Sequence, residues 1–174
     1  MTDFDGLIDA YEKPIFNLVY RLLGDMDEAA DLTQETFVCA YRSFDRFRGD
    51  SSPYTWLYRI ALNLCKNHFK RKDRTREFEG ASLDATGDGA GYDPVEPDTP
   101  EAVLERKELK ERVEQAISQL PPDYRIVAVL RDLHGLSYKE IAEAAELSED
   151  VVRTRLARAR GMLRQKLAAY LLPE

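Results

Sequence analysis

The stretch at residues 136–160, LSYKEIAEAAELSEDVVRTRLARAR, constrains the fold more than any other part of the chain. Ser137 and Glu140 have the S-x-x-E spacing of a capping box, which predicts that a helix begins at Ser137. Glu146 makes a short turn with the leucine after it, and Ser148 is placed to cap a second helix. That second helix has apolar residues on one face, namely Val152, Leu156, Ala159 and Leu163. This is the pattern of a helix-turn-helix, whose second helix typically enters the major groove of DNA.

The second helix of this motif is strongly basic and has a distinct polar face. At about 100° per residue, the residues opposite its apolar face are expected to face a groove: Asp150, Thr154, Ala157, Arg158 and Gly161. The flanking residues are placed to meet phosphates: Arg153, Arg160 and Arg164 on one side, and Arg155 on the other. The alternative is an ordinary solvated basic helix. The two caps and the small residues of the first helix favour DNA binding.

The charge distribution agrees with a nucleic-acid partner, although the formal net charge is −7. Residues 1–76 carry 12 basic and 12 acidic side chains, and residues 106–174 carry 13 basic and 11 acidic ones. Residues 77–105 carry nine acids and no Lys or Arg. The acidity therefore belongs to one segment, and the charge of the whole chain misleads about its partners.

The segment between about Asp73 and Thr99 is rich in Gly, Pro, Asp and Ala and poor in apolar residues. Such a composition buries too little surface to offset the entropy of ordering, which predicts a flexible acidic linker. We therefore predict an all-α fold of two small helical domains, at residues 1–73 and 100–174, joined by a linker at residues 74–99. No strand pattern is found.

Several classes of protein are disfavoured. No apolar run approaches the ~18 residues that span a bilayer, no signal peptide is recognised, and two cysteines, Cys39 and Cys65, fit a reduced cytoplasmic protein. Cys65 and His68 could form half of a metal site, but no second pair exists, so we expect neither a metal nor a cofactor. An enzyme is also disfavoured, because neither His68 nor His134 has an evident catalytic partner.

The predicted second helix, at about residues 27–43, has an apolar face and a polar stripe. The residues expected to face the core are Ala30, Phe37, Tyr41 and Phe44. The stripe consists of Asp31, Gln34, Glu35, Val38 and Arg42. From spacing alone, an ordinary solvated surface is the favoured interpretation of this stripe.

The following loop and helix combine aromatic, amide and basic side chains. Phe47, Arg48, Gly49, Asp50, Ser51 and Ser52 form a predicted loop, and Ser52 caps a helix that opens at Pro53. This helix is aromatic at its start, with Trp56, and then carries Asn63, Lys66 and Lys70. Stacking aromatics beside cations that follow phosphates are typical of single-strand nucleic-acid binding. The alternative is that the aromatic side chains belong to the core.

Four motifs together resemble a known family. They are AADLTQETFVCAYRSFDRF with its preceding alanine (29–47), FRGDSSPYTWLYRIALN (47–63), LPPDYRIVAVLRDLHGLSYKEIAE (120–143) and VVRTRLARAR (151–160). In order and spacing, the chain resembles bacterial sigma factors of the extracytoplasmic-function (ECF) type. The resemblance implies a non-enzymatic protein that binds core RNA polymerase, through its beta-prime clamp helices and beta flap, and directs it to promoter DNA. Proteins of this type are commonly held by an anti-sigma factor, which is a further candidate partner.

The resemblance also implies roles for individual residues. Asp31, Gln34 and Glu35 match positions that bind the beta-prime clamp helices, which turns the polar stripe into an interface. The loop at residues 47–53, with Asn63, matches a pocket for a flipped base of the minus-ten element, and Trp56 lies where the strands separate. Lys66 and Lys70 join this predicted surface through their charge, not through the resemblance. The positions that match readers of the minus-thirty-five element are Arg153, Thr154, Ala157 and Arg158, with Arg155 and Arg160 beside them. The acidic linker resembles those that thread the RNA-exit path.

Two residues depart from the family pattern. Glu146 stands where a turn glycine is common, and Asp150 stands where glycine is usual at the start of the second helix. An acid near the groove repels phosphate unless it accepts from cytosine.

A different class of protein also fits part of the chain. A helix-turn-helix regulator that acts without polymerase would explain residues 137–166, but it would explain neither the polar stripe nor the aromatic and basic helix. Adding core polymerase and asking whether transcription starts at a defined promoter separates the two.

Overall fold

The computed structural model describes residues 3–79 and 99–171, and within these ranges the chain is helical with no strand. The first half contains three helices: α1 (Phe4–Leu23), α2 (Met26–Ser43) and α3 (Pro53–Glu79). The second half contains four: α4 (Pro100–Ser118), α5 (Pro122–Ala128), α6 (Tyr138–Ala145) and α7 (Glu149–Leu171). The all-α class predicted from the sequence is therefore confirmed.

The helices begin where short polar side chains satisfy their first free backbone amides. The Ser52 hydroxyl accepts from the Thr55 amide at 3.1 Å, and the Thr99 hydroxyl accepts from the Ala102 amide at 3.1 Å. Ser137 and Glu140 form a complete capping box, in which each side chain accepts from the other residue's amide. The predicted helix starts at Ser52 and Ser137 are confirmed.

The end of α3 differs from the predicted domain boundary at residue 73. This helix continues to Glu79, and the Thr75 hydroxyl donates to the Arg71 carbonyl at 3.0 Å. Residues 74–79 contain neither Gly nor Pro, so nothing in their composition stops the helix before Gly80. The rest of the predicted linker, residues 80–98, lies outside the described residues.

The first half folds around a core of α1, α2 and α3 that includes Leu18, Leu22, Phe37 and Leu57. The buried face of α2 is only partly the predicted one: Phe37 is buried as predicted, but Ala30 is exposed and Tyr41 is 68% exposed.

Two threonines take the core positions of α2 instead. The Thr33 hydroxyl donates to the Ala29 carbonyl and the Thr36 hydroxyl to the Leu32 carbonyl, both at 2.7 Å. With its hydroxyl satisfied one turn back, a threonine packs as an apolar residue. The buried face of α2 is therefore shifted by about one residue relative to the predicted face. A pattern of apolar residues does not reveal this shift, because it leaves threonine out.

The two halves pack against each other through one continuous apolar cluster. The α6 helix lies against α3, and its last carbonyls accept from two cations of α3: Lys66 Nζ to the Ala145 oxygen at 2.9 Å, and Arg59 Nε to the Glu143 oxygen at 3.2 Å. Cations at a helix C-terminus are favourable because they meet the negative end of its dipole.

Two further contacts join the halves. Arg125 Nη1 donates to the Leu22 carbonyl at 2.6 Å. After α5, the chain widens into a π-helical turn at Val129–Leu133, and His134 follows, with its Nδ1 2.8 Å from the Tyr58 hydroxyl of α3.

Candidate functional site

The polar stripe of α2 borders a large groove between α1 and α2. Asp31, Gln34 and Glu35 are all exposed, and the first two line this groove of about 1120 Å³. Apolar side chains also line it, including Phe37, Val38 and Tyr41. Val38 is 46% exposed and Tyr41 is 68% exposed. Apolar surface rimmed by charged and amide groups is typical of an interface with another protein.

The predicted loop at residues 47–52 folds back onto the start of α3. The Phe47 ring stacks on the Trp56 ring, with centroids 4.6 Å apart and planes 27° apart. Arg48, Gly49 and Asp50 are exposed, and Gly49 has a φ of 77°, a conformation that favours glycine. Phe47 of the loop and Trp56 of α3 therefore form one aromatic platform.

Three of the predicted minus-ten residues lie along one side of α3. Trp56, Asn63 and Lys70 are seven residues apart, so each lies on nearly the same side and about 10 Å further along the axis. Trp56 and Asn63 are half-buried and Lys70 is exposed. Lys66 points elsewhere, because its ammonium donates to the α6 carbonyl end. The structure thus groups four of the predicted minus-ten residues, namely Phe47, Trp56, Asn63 and Lys70, along the start and middle of α3.

The helix-turn-helix has the predicted local geometry. Glu146 closes α6 with φ 58° and ψ 48°, so this non-glycine residue does take the left-handed conformation. The Ser148 hydroxyl accepts from the Val151 amide at 3.2 Å and begins α7. The predicted inner face is confirmed, since Val152 and Leu156 are buried.

The predicted groove face of α7 is open to solvent. Four of its five residues are exposed, namely Asp150, Thr154, Ala157 and Arg158, whereas Gly161 is half-buried. Within the part of the chain that the structure describes, Arg158 forms no ion pair. Its guanidinium is therefore available to a partner that presents acceptors.

Two of the flanking arginines of α7, Arg155 and Arg160, are held by acids from the preceding elements. Arg160 Nη2 lies 2.7 Å from Asp132 Oδ1, and this hydrogen bond raises the pKa of the guanidinium. Arg155 Nη1 lies 3.8 Å from Asp123 Oδ1. Both arginines stay accessible at the edge of the helix, with side-chain exposures of 31% for Arg155 and 44% for Arg160.

Sequence reasoning missed Tyr138 at the start of α6. Its ring lies 5.1 Å from the Arg131 guanidinium and 5.7 Å from that of Arg153. It also missed Asp132, which is 28 positions away from Arg160 and therefore has no spacing signal.

The cysteines and histidines form no metal centre among residues 3–79 and 99–171. Cys39 and Cys65 are free thiols, and burial raises the pKa of Cys65 to about 12. A membrane-spanning helix is likewise not found in the described part of the chain, since no helix there is both long and apolar enough.

Comparison with known families gives two matches that follow the two halves. The family described as Sigma-70 region 2 matches residues 7–75, and the family described as Sigma-70, region 4 matches residues 110–163.

Curated relatives match nearly the whole chain. The RNA polymerase sigma-H factor of Pseudomonas aeruginosa is 39% identical over 169 residues, which cover 97% of this chain and 88% of that protein. The ECF RNA polymerase sigma-E factor of Haemophilus influenzae is 38% identical over 165 residues, which cover 94% of this chain and 87% of that protein.

Solved structures share the fold at lower identity. The sigma factor RpoE of Bartonella quintana, solved with the anti-sigma factor NepR, matches with a TM-score of 0.75 and 21% identity over 97% of this chain and 98% of that one. CnrH, solved with the cytosolic domain of CnrY, matches with a TM-score of 0.66 and 23% identity over 95% of this chain and 88% of that one.

Proposed function

Because this chain belongs to the sigma factors of the extracytoplasmic-function type, we propose that it binds core RNA polymerase and directs it to specific promoters. The proposal rests mainly on one observation. A single chain carries both an exposed polar face on α7 and an aromatic and basic surface on α3. Its role is that of an initiation factor in the cytoplasm, and an anti-sigma factor is a candidate partner.

The direct test is transcription with purified components. The chain is added to core polymerase on a template with one candidate promoter, and the start site of the transcript is mapped. A defined start that depends on the chain supports the proposal. A chain that binds duplex DNA equally well with and without core polymerase, and gives no transcript, is instead a helix-turn-helix regulator.

The groove between α1 and α2 is the proposed binding site for the beta-prime clamp helices. Its apolar floor supplies buried area, while Asp31 and Gln34 at its edge supply directed polar contacts. Glu35 lies on the exposed face beside them. Most of the affinity of such an interface is expected from a few residues near its centre.

Replacing Gln34 and Glu35 together by alanine is expected to weaken core binding while the melting temperature stays nearly unchanged. Both side chains are exposed, so the fold loses little packing with them. The measurement is a binding titration with core polymerase and a thermal melt of the free protein. The matched control replaces Glu105 and Glu108, two exposed residues of α4, by alanine. Equal loss of core binding in both double variants contradicts the assignment.

The surface formed by the loop and α3 is the proposed site of promoter melting. Phe47 and Trp56 form an aromatic platform, and Asn63 offers an amide two turns further along. An amide both donates and accepts, which suits an exposed base edge. A base presents that edge only after it leaves the stack, at a cost of a few kcal/mol.

Replacing Asn63 by alanine is expected to leave core and promoter binding intact but to slow opening of the promoter. A template with a pre-melted bubble should restore part of the rate, because the unpairing cost is already met. Base preference at the captured position should stay relaxed even on the bubble. Open-complex formation is measured on duplex and bubble templates while that one base is varied.

Asn67→Ala is the matched control for the opening experiment, because Asn67 is an exposed amide one turn further along the same helix. It is expected to keep both the opening rate and the base preference. If the Asn63→Ala protein keeps its full base preference on the bubble template, Asn63 is not part of the pocket.

The packed halves must separate before both promoter elements are bound. Elements centred near positions minus ten and minus thirty-five are about 25 base pairs apart, which is roughly 85 Å of duplex. The halves of this structure share one core, and Lys66 is engaged by α6. Separation would release Lys66 for the minus-ten strand, and the nineteen residues at positions 80–98 span up to roughly 65 Å when extended.

A further inference from the structure

Asp150 and Arg153 form an ion pair on the first turn of α7. Arg153 Nη1 lies 3.1 Å from Asp150 Oδ1, with the two residues three positions apart. The Asp150 side chain is 92% exposed and that of Arg153 is 59% exposed. Both groups therefore lie on the surface that would meet DNA.

The pair changes the direction of Arg153. At about 100° per residue, Arg153 leaves the helix about 60° away from Asp150, on the flank that faces phosphates. Asp150 lies on the groove face, and the ion pair draws the guanidinium toward that face. The Tyr138 ring, 5.7 Å from the guanidinium, supports Arg153 from α6. The arginine is thus held between an acid of its own helix and an aromatic ring of the preceding one.

We propose that Asp150 is a positioning residue that converts Arg153 from a phosphate contact into a reader of guanine in the minus-thirty-five element. The inference rests on the proposed function of α7. A guanidinium has five N–H donors, so a contact with one carboxylate oxygen leaves donors for guanine O6 and N7. An acid at this position repels the phosphates, and holding Arg153 on the base edges offsets that repulsion.

In water, an exposed ion pair of this kind contributes little, because solvent screens it. Between the walls of a DNA groove the same pair is partly dehydrated, so the attraction strengthens. The acid then restricts where the guanidinium can go, and an arginine that cannot reach phosphate contributes to specificity rather than to general affinity.

The test compares Asp150→Ala with Glu149→Ala in the holoenzyme reconstituted with core polymerase. Both substitutions remove one exposed acid from the first turn of α7. Binding is measured on promoter duplexes that vary each minus-thirty-five base pair, at several salt concentrations. Asp150→Ala is expected to lose about tenfold of the preference for one G·C pair. Its plot of log affinity against log salt should steepen by about 0.9, the change for one added phosphate contact. Glu149→Ala should raise affinity for all sequences alike and keep the preference.

The same measurements with Arg153→Ala complete the experiment. In that background, Asp150→Ala is expected to change neither the base preference nor the salt dependence. If Asp150→Ala still lowers the base preference in the Arg153→Ala background, Asp150 contacts a base directly, as an acceptor for cytosine. That result overturns the positioning role. Equal behaviour of Asp150→Ala and Glu149→Ala also overturns it, because the effect is then one of net charge.

The experiment separates failure of this inference from failure of the proposed function. A holoenzyme without base preference anywhere in the element overturns both the proposed role of α7 and this inference. A wild-type holoenzyme with clear preference that Asp150→Ala fully retains overturns the positioning role alone.

Discussion

Lowering the pH from 7.5 to 5.5 is expected to reduce the free energy of unfolding through His134 by about 1.4 kcal/mol. Burial between the two halves, with Arg21 nearby, lowers the pKa of His134 from 6.5 to about 4. The unfolded chain therefore binds a proton as the pH falls through 6.5, whereas the folded chain stays neutral until about pH 4. The stability is therefore retained above pH 6.5 and lost as the pH falls, and the loss reaches about 3 kcal/mol near pH 4.

His134→Gln is the matched variant for the pH measurement. A glutamine can still form a hydrogen bond with the Tyr58 hydroxyl, because its amide both donates and accepts, but it does not titrate. Urea unfolding is followed for both proteins between pH 7.5 and 5.5, above the isoelectric point of about 5.0. The difference between the two curves isolates His134 from the carboxylates. Parallel curves contradict the assignment of a neutral, buried His134.

Replacing Arg158 by alanine is expected to cost roughly 1–3 kcal/mol of discrimination between promoter sequences. Arg158 stands on the open face of α7, opposite the buried Val152 and Leu156, and its guanidinium fits the acceptors of a guanine edge. Footprinting of the holoenzyme over a series of minus-thirty-five variants measures the loss at each base pair. The loss should be concentrated at one or two positions.

Arg164→Ala is the control for Arg158. Arg164 is also exposed on α7, but it lies on the flank, where a phosphate is the expected partner. Its loss should weaken binding to all sequences alike and reduce the salt slope by about one. Equal loss at every sequence for both variants would contradict the placement of Arg158 in the groove.

The helix starts and the helix-turn-helix were predictable because the interactions that set them are local. Ser52, Thr99 and Ser137 each accept from an amide three positions on, so the sequence alone shows donor and acceptor together. The buried face of α7 follows in the same way from the spacing of Val152 and Leu156. The ion pair of Asp150 and Arg153 is equally local, and its three-residue spacing was a signal that sequence reasoning did not use.

The buried face of α2 was predicted correctly at Phe37 but wrongly at Ala30 and Tyr41, for a physical reason that also concerns function. Thr33 and Thr36 satisfy their hydroxyls one turn back and enter the core, which leaves Tyr41 on the surface. An apolar pattern counts Tyr41 as core and threonine as surface. Because the buried face was misplaced in this way, the sequence analysis did not predict the groove beside Asp31 and Gln34.

The sequence by itself determined the helical class, the family and the open face of α7, because these depend on caps, periodicity and motifs within short stretches. Only the tertiary structure decided which partners meet across long separations. Asp132 holds Arg160 from 28 positions away, Lys66 donates to the Ala145 carbonyl, and Tyr58 pairs with His134. No local rule relates such residues, since their contacts form only when elements far apart in the sequence are brought together by the burial of apolar surface.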